Sequence, residues 1–96
     1  MLEIRQTAVF TRWLDGLRDR NARLRIVARI RRMELGNPGD VKLVGEGVSE
    51  MRVSYGPGYR VYFVKAGKTV IVLLCGGDKS SQRHDIAFAK QMAKEI

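Results

Sequence analysis

The chain is poor in the residues that make disulfides and metal centres. Its one cysteine, Cys75, excludes an internal disulfide, and a single histidine, His84, leaves too few soft ligands for a usual zinc site. There is no P-loop, no glycine-rich nucleotide fingerprint and no serine in a nucleophile elbow, so neither metal nor cofactor is expected. Hydrophobic runs are short as well. The longest, Val70–Cys75, is far below a membrane span, and Met1–Gln6 lacks the apolar core of a signal peptide. With Cys75 placed as a small buried hydrophobe, these absences describe a soluble, cytoplasmic protein with no membrane partner.

Acidic residues are also scarce. Ten Asp and Glu face eighteen Lys and Arg, a net charge of +8 and a pI of about 10.3. A field of that sign attracts polyanions and retains them through counterion release, which puts nucleic acid and ribosome surfaces first among partners. Ninety-six residues suffice for one core and not for two, so residues 1–96 read as a single domain.

Taken in order, Leu2–Gln6 alternates briefly as a strand, and Thr7 can cap a helix carrying Phe10, Trp13, Leu14 and Leu17 on one stripe, with Gly16 inside it. Asn21 is placed to cap a second helix through Ala22, Ile26, Ile30 and Met33, ended by Gly36-Asn-Pro-Gly39. From Arg12 to Arg32 this helical hairpin holds eight arginines against Asp15 and Asp19. Two readings stay open for them: a solvated face, or a docking surface for RNA phosphates or an acidic partner. Residues 36–47, with four glycines, read as a loop from which Lys42 projects towards any bound nucleic acid.

The stretch from Glu50 to Phe63 alternates at period two and breaks at Gly56-Pro57-Gly58, the pattern of a β-hairpin. A three-residue loop at 56–58 sets Met51, Val53 and Tyr55 on one face with Tyr59, Val61 and Phe63. The other face receives Glu50, Arg52, Arg60 and Tyr62. In that register Arg52 and Arg60 are diagonal neighbours, roughly 7–8 Å apart, a spacing at which two guanidinium groups can grip one phosphodiester. Val70–Cys75 is apolar on both faces, as a covered central strand would be. Gly76-Gly77 ends it, and Asp78 or Ser80 caps a last helix with Ile86, Ala89, Ala93 and Ile96 at helical spacing. The order β-α-α-β-β-β-α predicts an α+β fold in which the helical hairpin and the C-terminal helix pack on a mainly antiparallel four-stranded sheet.

The chemistry-bearing residues gather around Arg52, Arg60, Lys79 and Glu50, with Tyr62, Gln82 and His84 near them in sequence or on the same predicted face. Lys79 follows two glycines at the start of a helix. That position suits a phosphate, and equally an ordinary turn with a solvated lysine.

The segments Gly39-Asp-Val-Lys42, Gly45-Glu-Gly-Val-Ser-Glu-Met-Arg52, Gly56-Pro-Gly-Tyr-Arg-Val-Tyr-Phe63 and Leu73-Leu-Cys-Gly-Gly-Asp-Lys-Ser-Ser-Gln82 resemble the phage-derived, Gp49-like and HigB-like addiction-module killer proteins of the RelE/ParE toxin superfamily. The resemblance implies a compact toxin of a type II toxin-antitoxin system. Such a toxin cuts mRNA on the ribosome without a metal and is neutralised by an antitoxin, often of helix-turn-helix type, in a hetero-oligomer. Arg52 and Arg60 would then hold the scissile phosphate, Lys79 would add charge, and Glu50 would be the general base or the structural partner of Arg52. Lys42, Tyr62, Gln82 and His84 would contact RNA. A tyrosine that some relatives carry near the C-terminus has no counterpart here, which leaves His84 and Tyr62 as the groups available to protonate the leaving oxygen. A ParE-like DNA gyrase inhibitor and a non-catalytic basic nucleic-acid-binding module are the other readings; convergent cations on a sheet face favour the nuclease.

Overall fold

The computed structural model describes residues 1–96 throughout. Its order is β1 (Glu3–Gln6), α1 (Ala8–Asp15), α2 (Arg20–Glu34), β2 (Val41–Gly45), β3 (Val48–Val53), β4 (Tyr59–Ala66), β5 (Val70–Gly77), a 3-10 turn (Lys79–Ser81) and α3 (Gln82–Ala93). The strands form one sheet in the order β1-β5-β4-β3-β2, with β1 parallel to β5 and the other neighbours antiparallel. The α+β class is as expected, with five strands rather than four. The fifth lies in the glycine-containing segment read as a loop. There Val41, Lys42 and Leu43 pair with Met51, Glu50 and Ser49, so Lys42 stands on an edge strand.

Helix boundaries follow local capping chemistry. Thr7 caps α1, its hydroxyl accepting from Phe10 N at 3.0 Å and donating to Leu74 O at 2.6 Å. Asp19, not Asn21, caps α2: its carboxylate accepts from the amides of Asn21 and Ala22, the orphan donors of a first turn. Gly16 lies at the C-cap of α1 rather than inside the helix, which stops at Asp15.

Two cores sandwich the sheet. On one face, Phe10, Leu14, Ile26 and Met33 of α1 and α2 meet Met51, Val53, Val61, Phe63, Ile71 and Leu73. On the other, Ala89 of α3 meets Val48, Tyr62, Val72, Leu74 and Cys75. The period-two pattern of β3 and β4 therefore sorts residues between faces as predicted. In β5, Tyr62 pairs with Cys75 and Phe63 with Leu73, so Leu74 is the extra residue of a bulge. This bulge explains why Leu74 and Cys75 both enter the α3 core.

Beyond the bulge, each glycine lets a helix approach one face. A Cβ on Gly76 would lie 2.3 Å from the Trp13 ring, and one on Gly77 would lie 1.8 Å from Asp85 Oδ2. Gly76→Ala should therefore destabilise the protein by about 2–3 kcal/mol, since a rigid indole must move. Urea titration followed by the emission of Trp13, the one tryptophan, checks this. Cys75 is buried, and burial foremost, then the charge of Asp85, pushes its thiol up to about 12. Native protein at pH 8 should resist alkylation by iodoacetamide and react only when unfolded. A mass shift within minutes under native conditions would contradict that environment. No helix is long and apolar enough to cross a membrane.

Candidate nucleic-acid interface

The β3–β4 hairpin brings the two central arginines closer than predicted. Val53 pairs with Tyr59, so the connection spans residues 54–58, and Arg52 stands directly opposite Arg60. The predicted diagonal register is thus corrected by two residues. Gly56 and Gly58 adopt φ of 55° and 80°, and Pro57 between them offers no N–H, which favours a wider loop over a tight three-residue turn. Directly opposed residues share a face, with Cα atoms roughly 4.5–5.5 Å apart.

Arg60 occupies the middle of the cluster. Its Nη1 donates to Gly58 O at 2.6 Å, and its Nε lies 3.6 Å from Glu50 Oε2, outside hydrogen-bond reach and without another partner. Only 13% of the side chain is exposed. Glu50 is 1% exposed, and its Oε2 accepts from the Tyr62 hydroxyl at 3.1 Å and from Gln82 Nε2 at 2.8 Å. The buried carboxylate thus ties β3, β4 and α3 together beneath Arg60. Burial foremost, then the neighbouring Glu50 carboxylate, raises the Tyr62 phenol well above its ordinary value, so it stays protonated.

Arg52 is held from another side. Asp40, just ahead of β2, accepts from Arg52 Nη2 at 2.8 Å and from Nε at 3.3 Å. That hydrogen bond is the main reason the Asp40 carboxyl lies below its ordinary value, and the same bond raises the guanidinium. Arg29 of α2 supports the arrangement by donating to the carbonyls of Arg52 at 2.6 Å and Pro38 at 3.0 Å. Glu50 therefore partners Arg60, not Arg52 as expected.

Lys79 reaches the cluster through the turn. Its amide donates to Pro57 O at 3.4 Å, and a Cβ on Gly58 would sit 3.5 Å from Lys79 Cβ and 3.0 Å from Arg60 Nη1. Lys79 opens a 3-10 turn rather than α3 itself. The amide of Ser80 is capped by the Asp78 carboxylate at 2.8 Å, so the phosphate seat expected at the helix start holds the protein's own anion. Hydrogen bonding from the Ser80 hydroxyl is the chief cause of the lowered Asp78 pKa, with Arg60 a smaller contributor.

The other expected residues divide. Lys42 is exposed and opposite Glu50 across the β2–β3 pair, so it belongs to the same face. Gln82 is half-buried with its amide committed to Glu50, and Tyr62 is fully buried, so a direct Tyr62–RNA contact is corrected to a structural role. His84 is exposed on α3 and stacks on Phe88 with ring centroids 6.4 Å apart. No ion pair or hydrogen bond links it to the arginines. Asp40, Asp78 and Arg29 were missed as members of this neighbourhood. Reading Lys42 as a strand residue opposite Glu50 would have put Asp40 beside Arg52.

Chemically, the cluster offers three cations at one end of a sheet, with a carboxylate beside each arginine and Asp78 next to the lysine. No group of three or more His, Cys, Asp and Glu residues is placed to hold a metal ion.

Residues 12–94 match the family described as phage derived protein Gp49-like (DUF891). The chain is 44% identical over 95 residues to an uncharacterized protein of Haemophilus influenzae, covering 99% of this chain and 96% of that protein. Among solved structures it is similar to a conserved hypothetical protein of Helicobacter pylori. That match has a TM-score of 0.54 at 21% identity and covers 83% of this chain and 97% of the other, a likeness of fold alone.

Proposed function

The chain belongs to the phage-derived Gp49-like family, and from that premise and the site geometry we propose that it is a HigB-like toxin of the RelE/ParE superfamily, acting as a metal-independent mRNA endoribonuclease on the ribosome and restrained by a cognate antitoxin. The observation that carries this reading is the directly opposed pair Arg52 and Arg60 with Lys79 beside the same turn. In the proposed reaction the RNA 2′-hydroxyl gives its proton to solvent water as its oxygen attacks the adjacent phosphorus, giving a 2′,3′-cyclic phosphate, while the bond to the 5′-oxygen breaks and that oxygen takes up a proton from solvent water. Negative charge grows on the phosphoryl oxygens as this happens. Donors fixed in advance by the protein lower that barrier most, because they need no rearrangement when the charge appears.

Each residue then has a distinct task. Arg60, fixed by Glu50 and Gly58, meets the phosphoryl group. Arg52 exchanges the Asp40 carboxylate for a phosphate oxygen, and Lys79 adds charge from the turn. Glu50 is better suited to positioning Arg60 than to accepting the 2′-proton, since it is buried and already accepts two hydrogen bonds. Lys42 extends the basic face along the edge strand.

Purified protein added to translating ribosomes should shorten the programmed mRNA and leave a cyclic phosphate on the upstream fragment. Intact mRNA together with inhibited DNA supercoiling would replace this reading with gyrase inhibition. Binding without either effect would leave a nucleic-acid-binding module.

A further inference from the structure

Helix α2 stops short of the end of the sheet it covers. Gly36 N donates to Met33 O at 2.9 Å and Asn37 N to Arg32 O at 2.8 Å, with Gly36 at a φ of 90°, the hydrogen bonds and left-handed turn that close a helix. No further helical turn lies over the strand ends, and a hollow of about 230 Å³ is left there. Its walls are the buried side chains of Met33, Phe63 and Ile71, with half-buried Leu2 and Val41 beside them.

Two polar side chains interrupt this lining. Ser49 of β3 stands opposite Phe63, and Lys65 of β4 opposite Ile71, so both lie on the helical-hairpin face. Lys65 is exposed and makes no ion pair, and no carboxylate lines the hollow. Apolar walls with one unpaired cation and one hydroxyl suit a ligand that has a hydrocarbon tail and a single anionic head. A nucleobase would set its ring N–H and C=O groups against Met33, Phe63 and Ile71, which offer no hydrogen bond in return. Phosphate would find the stronger field at Arg52 and Arg60.

We infer that this hollow binds a small monocarboxylate with an aliphatic tail, the tail lying against Met33, Phe63 and Ile71 and the carboxylate reaching Lys65 and Ser49. At the packing density of a protein interior the volume holds a chain of roughly six to eight carbons. The segment between α2 and β2 borders this site on one side and the arginine pair on the other. Pro38 and Val41 line the hollow, whereas Asp40 between them holds the Arg52 guanidinium, and Arg29 bridges Pro38 O and Arg52 O. A ligand packed against Pro38 and Val41 therefore alters the seating of Asp40 on Arg52. The site is distinct from the Arg52–Arg60 pair, and its occupancy does not depend on RNA cleavage.

The test titrates the intact 15N-labelled protein with butanoate, hexanoate and octanoate at constant ionic strength, below the concentrations at which they form micelles. Octanoate should bind saturably and shift the amide resonances of Val41, Ser49 and Lys65, with the Arg52 side-chain Nε resonance moving in step. Affinity should rise about fourfold for each methylene added, as burial of the tail requires. Octylamine, with the same tail and the opposite charge, should bind about tenfold or more weakly. Lys65→Gln should weaken octanoate binding about threefold to fivefold. Ser49→Leu fills the hollow and should remove binding while keeping or raising the urea midpoint. Affinity independent of tail length would overturn the inference, as would equal binding of octylamine, shifts centred on the arginines of α2, or full binding by Lys65→Gln or by folded Ser49→Leu. Octanoate binding that leaves the Arg52 resonance unmoved would overturn the link to Asp40 and Arg52.

Discussion

Arg60→Ala should abolish growth inhibition on expression, and should reduce mRNA cutting by purified protein by about a hundredfold to a thousandfold, the range seen when one fixed donor to a developing oxyanion is removed. Arg60 is the cation shared by every part of the cluster: it lies opposite Arg52, against Gly58 beside Lys79, and over the buried Glu50. Truncation removes the fork that would contact phosphate and strips Glu50 of its nearest positive charge, so a lower melting temperature should accompany the loss. Arg60→Lys separates the two effects. It keeps a charge near Glu50 but loses the planar fork, and should fold nearly as well as the parent while remaining poorly toxic. An Arg60→Ala protein that is fully toxic would refute the site assignment.

Glu50→Ala should be the most destabilising single substitution at the site, by about 3–5 kcal/mol, because it removes one partner from a buried charged contact. The Tyr62 hydroxyl and Gln82 amide would lose their common acceptor, and α3 would lose its polar tie to β3. Glu50→Gln retains the shape and an acceptor oxygen, so a smaller loss of about 1–2 kcal/mol should appear in urea titrations. Activity then distinguishes an anchor from a base. If Glu50 positions Arg60, the glutamine variant keeps measurable cleavage with an unchanged pH profile; if it accepts the 2′-proton, cleavage collapses in a protein that remains folded.

Residues whose environment is set by alternation or capping were legible in the sequence. Met51, Val53, Val61 and Phe63 fall on the helical-hairpin face and Glu50, Arg52, Arg60 and Tyr62 on the other, because side-chain direction reverses at every strand residue. Thr7 caps α1 for the same local reason. What escaped depends on distant packing. The hairpin register differs by two residues, a shift that preserves faces and so leaves no mark in the apolar pattern. Burial of Glu50 and Tyr62 depends on α3 crossing that face, and the closeness of that helix is visible only in the clearance Gly77 provides for Asp85. Val41–Gly45 escaped as a strand because its glycine and lysine weaken a pattern that pairing with β3 overrides.

The most direct measurement is transcriptome-wide mapping of mRNA 5′ ends shortly after induction, comparing the protein with Arg60→Ala. The proposed function predicts new ends within translated codons, dependent on ongoing translation and absent from the variant. Growth arrest with no new ends inside coding sequences, or the same ends with Arg60→Ala, would contradict it.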